Sequence, residues 1–205
     1  MKQFFVTGIS TEVGKTIASA ILVEALEADY WKPIQAGDLE TSDTHKVKDL
    51  ISNDKTVFHK NSYALNTPMS PHAAAKIDGI VIDREKIEEP ETENNLVIEG
   101  AGGLLVPLND HDTILDIIMP NYEVIVVSRH YLGSINHTLL TVMWLEFKGY
   151  NVSLIFSGDE QPETEEIILK KTGVKCIGRI DEEPFFDKTT VKKYANKFKK
   201  ALQEL

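Results

Sequence analysis

The chain has 205 residues, 42% of them hydrophobic and 26% charged, a net charge of −10 and a single cysteine, Cys176. That length and apolar share suit one globular domain over residues 1–205 with a core of its own. The acidic balance argues against a nucleic-acid surface as the main business, the lone cysteine excludes an internal disulfide or a cysteine zinc site, and no apolar run reaches the ~18 residues of a membrane span.

Gln3–Thr7 reads as a first strand, entered with no charged-then-apolar leader, so a cytoplasmic protein is expected. Gly8 to Thr16, G-I-S-T-E-V-G-K-T, then leads into a helix over Thr16–Ala28. A glycine turn between strand and helix, ending in Gly-Lys-Thr, supplies what a phosphate cradle needs: inward backbone N–H groups, a helix N-terminus and the Lys15 charge. The Thr16 hydroxyl stands where it can ligate Mg²⁺ beside the phosphates. The spacing is unusual, because five residues rather than four separate Gly8 from Gly14.

Further strands are expected at Tyr30–Pro33, Leu96–Glu99, Val124–Ser128, Val152–Phe156 and Val174–Ile177, and helices at Asp43–Ser52, Ser134–Lys148, Glu163–Lys171 and Thr190–Leu205. The strand runs are continuously apolar, as in strands covered on both faces. Alternating β and α segments predict an α/β fold, a mostly parallel central sheet with helices on both faces, of the P-loop NTPase type. Ligands of such sheets sit at the carboxyl ends of the strands. There the chain presents the Gly8–Thr16 loop, then Lys32-Pro33-Ile34-Gln35-Ala36-Gly37 with Asp43 beyond it. Glu99-Gly100-Ala101-Gly102-Gly103 and Leu132-Gly133-Ser134-Ile135-Asn136-His137 follow. Between them, Pro68-Met69-Ser70-Pro71-His72 is turn-prone and precedes a short helix at Ala73–Lys76, and Glu88 to Asn95 reads as a solvated loop.

Each candidate has a plainer reading beside the functional one. Lys32 is either a second cation opposite Lys15 or a surface lysine. Asp43 is a metal carboxylate or the cap of its own helix. Glu99 is a metal ligand or a loop carboxylate, although a charge ending an apolar run needs a partner. Gly133-Ser134 with Asn136 is a carboxylate-binding helix start or ordinary capping. The histidines show no metal spacing. The last segment places Val191, Tyr194, Phe198 and Leu202 on one face and lysines on the other. It can lie on a membrane, but a docked helix with a solvated face is the commoner arrangement.

Taken together, these motifs resemble the dethiobiotin synthetases, in the family's order and over about two-thirds of the chain. They are Thr11-Glu12-Val13-Gly14-Lys15-Thr16, Lys32-Pro33-Ile34-Gln35-Ala36-Gly37, Ser42-Asp43, Pro68–His72, Glu99–Gly103 and Leu132–His137. The resemblance implies an ATP- and Mg²⁺-dependent cyclo-ligase acting on 7,8-diaminopelargonic acid and CO₂. It implies that Lys15, Lys32 and Thr11 serve catalysis, and that Thr16, Asp43 and Glu99 hold Mg²⁺. The nucleotide would lie along Glu12, Val13, Gly14, Lys15, Thr16 and Ile17 and against Gly100, Ala101 and Gly102. The diamine would meet Thr11 and Lys32, and Gly133, Ser134 and Asn136 of a partner chain, because the family is homodimeric with its substrate site at the interface.

The chain departs from the family pattern at Ala36, where a hydroxyl is usual, and at Tyr131, where a basic residue is common. Ile180-Asp181 replaces an Ile-Pro step, and Gly158 stands where an asparagine reads adenine. The last of these predicts intact phosphate binding with weak base selection, so that other nucleoside triphosphates are accepted. The rival reading is a partitioning or metal-delivery ATPase of the same broad fold. Such proteins resemble the chain in sheet and loop but usually carry an extra loop lysine where Ser10, Thr11 and Glu12 stand.

Overall fold

The computed structural model describes residues 1–205. Six strands form one parallel sheet: β1 (Gln3–Gly8), β2 (Asp29–Trp31), β5 (Leu96–Gly103), β6 (Glu123–Arg129), β7 (Asn151–Ser157) and β8 (Lys175–Ile180). Their spatial order is β2-β5-β1-β6-β7-β8. The order reverses about β1, so the loop leaving β1 opens at the crevice where open α/β sheets bind ligands.

The helices are α1 (Lys15–Leu26), α2 (Asp43–Leu50), α3 (Pro71–Asp78), α4 (Ser134–Phe147), α5 (Pro162–Thr172) and α6 (Lys188–Gln203). One apolar layer joins the sheet to α1, α2 and α6, and a second joins its other face to α3, α4 and α5. Val124 and Val126 serve one layer while Ile125 and Val127 serve the other, which is why the run is apolar throughout. Helix α6 docks Val191, Tyr194, Phe198 and Leu202 into the first layer, all of them buried. No helix is long and apolar enough to cross a membrane.

Helix α1 lies between the sheet, α2 and α6, and even its Glu24 is buried. That carboxylate accepts from the Ser52 N–H at 2.8 Å, the Ser52 hydroxyl at 2.6 Å, the Asn53 N–H at 3.1 Å and Lys192 Nζ at 2.6 Å. Burial by itself would raise its pKa, but Lys192 and the Ser52 and Asn53 donors outweigh burial and hold it at about 2. One charged group thus ties α1 to the end of α2 and to α6.

Two expectations about strands need correction. The second strand ends at Trp31, not Pro33, because Pro33 has no N–H to give a ladder. The chain then pairs again in a separate two-stranded sheet, β3 (Ile34–Ala36) beside β4 (Tyr63–Leu65). The third expected strand runs on through the glycines to Gly103, so Glu99 lies inside β5 and not after it.

Candidate active site

Strand register assembles the site. Val6 on β1 pairs with Glu99 on β5, placing that carboxylate beside the approach to the Gly8 turn. Trp31 on β2 pairs with Ile98, which brings Lys32, the next residue, against Glu99. Thr16 stands in the first turn of α1 and Asp43 opens α2. Four segments distant in sequence therefore meet at one point.

Lys32 is not a surface lysine. Its side chain is 5% exposed, and Nζ lies 2.7 Å from Asp43 Oδ2 and 3.1 Å from Glu99 Oε1. Burial would lower its pKa, but Glu99 and then Asp43 more than offset this, and the net shift is upward. The same ammonium outweighs burial at Asp43 and pulls its pKa below the ordinary value. Asp43 is not the cap of α2 either. Ser42 precedes the helix and pairs with His45 Nδ1 at 2.9 Å, leaving the Asp43 carboxylate to Lys32 and, at 3.2 Å, Lys46.

Glu99 is 1% exposed and has the partners a buried carboxylate requires. Thr16 Oγ1 donates to Oε1 at 2.9 Å, Lys32 shares that oxygen, and the Tyr30 hydroxyl donates to Oε2 at 2.9 Å. Tyr30 stands within the expected strand Tyr30–Pro33, where a phenol in an apolar run reads as core. No sequence signal marks it, since the contact arises only from the pairing of β2 with β5.

In the loop, Gly8 is required by close approach. A Cβ there would lie 2.6 Å from Val13 Cγ2, 2.8 Å from the Ser10 carbonyl oxygen and 3.2 Å from Lys15 Nζ. Gly14 adopts φ 93° to turn into α1, a conformation that favours glycine. Lys15 is 7% exposed, and its Nζ donates to the Ser10 carbonyl at 3.0 Å. Burial is the main reason its pKa falls to about 8. Glu99 opposes the fall and Lys32 adds to it.

These groups line a cavity of about 1010 Å³. Of the expected nucleotide and substrate residues, Thr11, Glu12, Gly14, Lys15, Thr16, Ile17, Lys32, Asp43, Glu99, Ala101 and Gly102 border it. Val13 instead packs into the core, 1% exposed. Gly100 faces away, where a Cβ would meet the Phe5 ring at 3.1 Å. Gly133 and Asn136 are exposed at the start of α4 and Ser134 is buried, and none of the three lines the cavity of this chain. Tyr131 donates to or accepts from His137 Nδ1 at 2.7 Å.

Toward β7 and β8 the cavity reaches Arg129, Ser157, Asp181, Glu182 and Phe186. Arg129 pairs with Glu182 at 3.0 Å, and Arg179 pairs with Asp181 at 2.7 Å and Glu165 at 2.9 Å. Gly158 adopts φ 100° there, with no side chain to offer. No local pattern marks this charged network, because its members come from three separate stretches, the end of β6, α5 and the end of β8.

The residues fit a magnesium ion. Thr16, Glu99 and Asp43 offer one hydroxyl and two carboxylates, all oxygen, gathered about one ammonium. No cluster of three or more His, Cys, Asp or Glu forms an all-protein cage. That suits an ion which usually takes one or two carboxylates and completes its shell with phosphate oxygens and water.

A family model described as an AAA domain matches residues 2–190. A curated relative from Christiangramia forsetii, an ATP-dependent dethiobiotin synthetase, is 62% identical over 205 residues, covering 100% of this chain and 99% of its own. Another of the same name, from Cytophaga hutchinsonii, is 48% identical and covers 96% of this chain and 97% of its own. Among solved structures, a MinC:MinD cell division complex from Aquifex aeolicus aligns with TM-score 0.61 at 16% identity, over 100% of this chain and 97% of that one. A ParA family ATPase from Chlorobium tepidum aligns with TM-score 0.58 at 14% identity, over 95% and 98%. These two structures therefore share the fold and little sequence, whereas near-complete coverage at high identity assigns the lineage: the chain belongs to the ATP-dependent dethiobiotin synthetase family.

Proposed function

We propose that this chain, acting as one domain over residues 1–205 in the cytoplasm, closes the ureido ring of dethiobiotin from 7,8-diaminopelargonic acid, CO₂ and ATP. The observation that carries the reading is the buried Lys32 ammonium held between Asp43 and Glu99, beside the phosphate loop. An ammonium has three donors, and two are used here, so one remains for an incoming anion.

One substrate amine adds to CO₂, forming a C–N bond and losing a proton, and the product is a carbamate anion. A carbamate oxygen then attacks the γ-phosphorus of ATP as the bond to ADP breaks, giving a carbamic–phosphoric anhydride. The second amine attacks the anhydride carbon, a proton leaves, phosphate departs and the ring closes. The free donor of Lys32 neutralises the carbamate, and Lys15 stabilises the charge spreading over the transferring phosphoryl. Thr11, at the exposed tip of the loop, orients the diamine. Thr16, Asp43 and Glu99 would hold Mg²⁺, which would supply neutralisation of phosphate charge there.

An assay with the diamine, bicarbonate, Mg²⁺ and ATP tests this. Diamine-dependent phosphate release with dethiobiotin formed is expected, and hydrolysis indifferent to the diamine would point to a switch ATPase.

The outer face of α4 supports a homodimer with the substrate site at its interface. Val142 and Leu145 are buried inward, while Leu140, Met143, Trp144 and Phe147 are exposed. A helix apolar on both faces is normally covered on both. Phe147→Glu should halve the mass seen by sedimentation and remove diamine turnover while nucleotide still binds. A variant that stays dimeric, or a monomer with full activity, would count against the interface.

Base selection should be loose, since Gly158 lacks a base-reading amide and the cavity offers a paired Arg129 and Glu182 instead. The kcat/KM values for ATP, GTP and CTP are expected to lie within about 100-fold of one another. A larger preference for ATP would refute the expectation.

A further inference from the structure

We infer that Tyr30 is a positioning residue for Glu99, its hydroxyl fixing one carboxylate oxygen so that the other faces Thr16 and Lys32. This rests on the proposed reading of the site. The three donors on Glu99 divide its two oxygens: Tyr30 takes Oε2, while Thr16 and Lys32 share Oε1. Oε1 is the oxygen on the side of the phosphate loop. A carboxylate held only at Oε1 could pivot about that contact; the bond at 2.9 Å to Oε2 removes the freedom.

Tyr30 is itself fixed. It is fully buried on β2, and its ring packs against Phe58 with centroids 5.9 Å apart. Val97, two residues before Glu99 and on the same face of β5, is its partner in the ladder. The phenol thus reaches Glu99 along a rigid edge of the sheet. A tyrosine serving only as core would need the ring alone.

Tyr30→Phe keeps the ring and removes the anchor. Affinity for a non-hydrolysable ATP analogue with Mg²⁺, read by calorimetry, should fall about tenfold, as is usual when a partner of a metal-ligating group is lost. Affinity for the analogue without Mg²⁺ should change less than twofold. Phe58→Leu loosens the ring's packing but keeps the hydroxyl, so it should lower Tm and leave the Mg²⁺-dependent affinity within twofold. Equal Mg²⁺-dependent affinities in Tyr30→Phe and the wild type would overturn the inference.

The same measurement in a Glu99→Gln background, where no buried charge loses its donor, covers the case in which Tyr30→Phe alone does not fold. There Tyr30→Phe should add nothing to the loss already caused by Glu99→Gln. A further loss would show that Tyr30 acts by another route. Failure of ring closure with Tyr30→Phe binding as described would count against the proposed reaction and not against the anchor.

Discussion

Lys32→Ala should lower kcat by at least ~10²-fold and destabilise the fold by about 3–5 kcal/mol. Both effects follow from where the ammonium sits. Glu99 is 1% and Asp43 20% exposed at the side chain, and Lys32 contacts both. Without it, the buried Glu99 and the largely buried Asp43 lose the cation they share. The cost is therefore that of leaving buried charges uncompensated, which exceeds what the ion pair contributes net. Urea unfolding reads the stability term, and single-turnover phosphoryl transfer reads the chemical one. The two separate in Lys32→Ala/Asp43→Asn, which relieves the charge excess: stability should recover in part while turnover stays low. Stability loss with unchanged turnover would reduce Lys32 to a structural ion-pair member.

The main sheet was legible because its strands are covered on both faces, so Phe4–Val6 and Val124–Val127 are continuous apolar runs. The loop and its lysine were legible because Gly8 and Gly14 meet local demands, close approach and positive φ. Strands β3 and β4 were not, since three residues carry too little pattern and their pairing spans a long separation. Gly100 to Gly103, expected to lie beyond a strand ending at Glu99, instead continue β5, where neighbouring strands supply the hydrogen bonds. Gly100 looked like its neighbours in the motif, but it lies against Phe5 while Ala101 and Gly102 border the cavity, the positive φ of Gly102 breaking the strand alternation. Lys32 could be called exposed or buried until register set it against Glu99. The Tyr30 contact depends wholly on that register, so no local pattern could have announced it.

Lys15→Ala should also depress kcat/KM for ATP by at least ~10²-fold, yet leave folding stability within about 1 kcal/mol of the wild type. The contrast with Lys32 is the informative part. Lys15 Nζ donates to one neutral acceptor, the Ser10 carbonyl at 3.0 Å, and forms no ion pair. Its pKa falls to about 8 chiefly because burial opposes the charge, so the folded protein holds this cation at some expense. Removing it relieves that expense and exposes no partner charge, which roughly offsets the lost packing and hydrogen bond. What disappears is the positive end of a phosphate cradle, whose value is realised only with polyphosphate bound. Two Lys15 donors are free in this structure, aimed from a loop in which even a Cβ on Gly8 would crowd Nζ. Lys15→Arg should fail to restore turnover, because the planar guanidinium does not reproduce the compact point charge of an ammonium. Paired urea unfolding and steady-state kinetics on Lys15→Ala and Lys32→Ala would decide the matter. Stability losses of equal size would contradict the division between a lysine that binds anions and one that also holds the acids of the site in place.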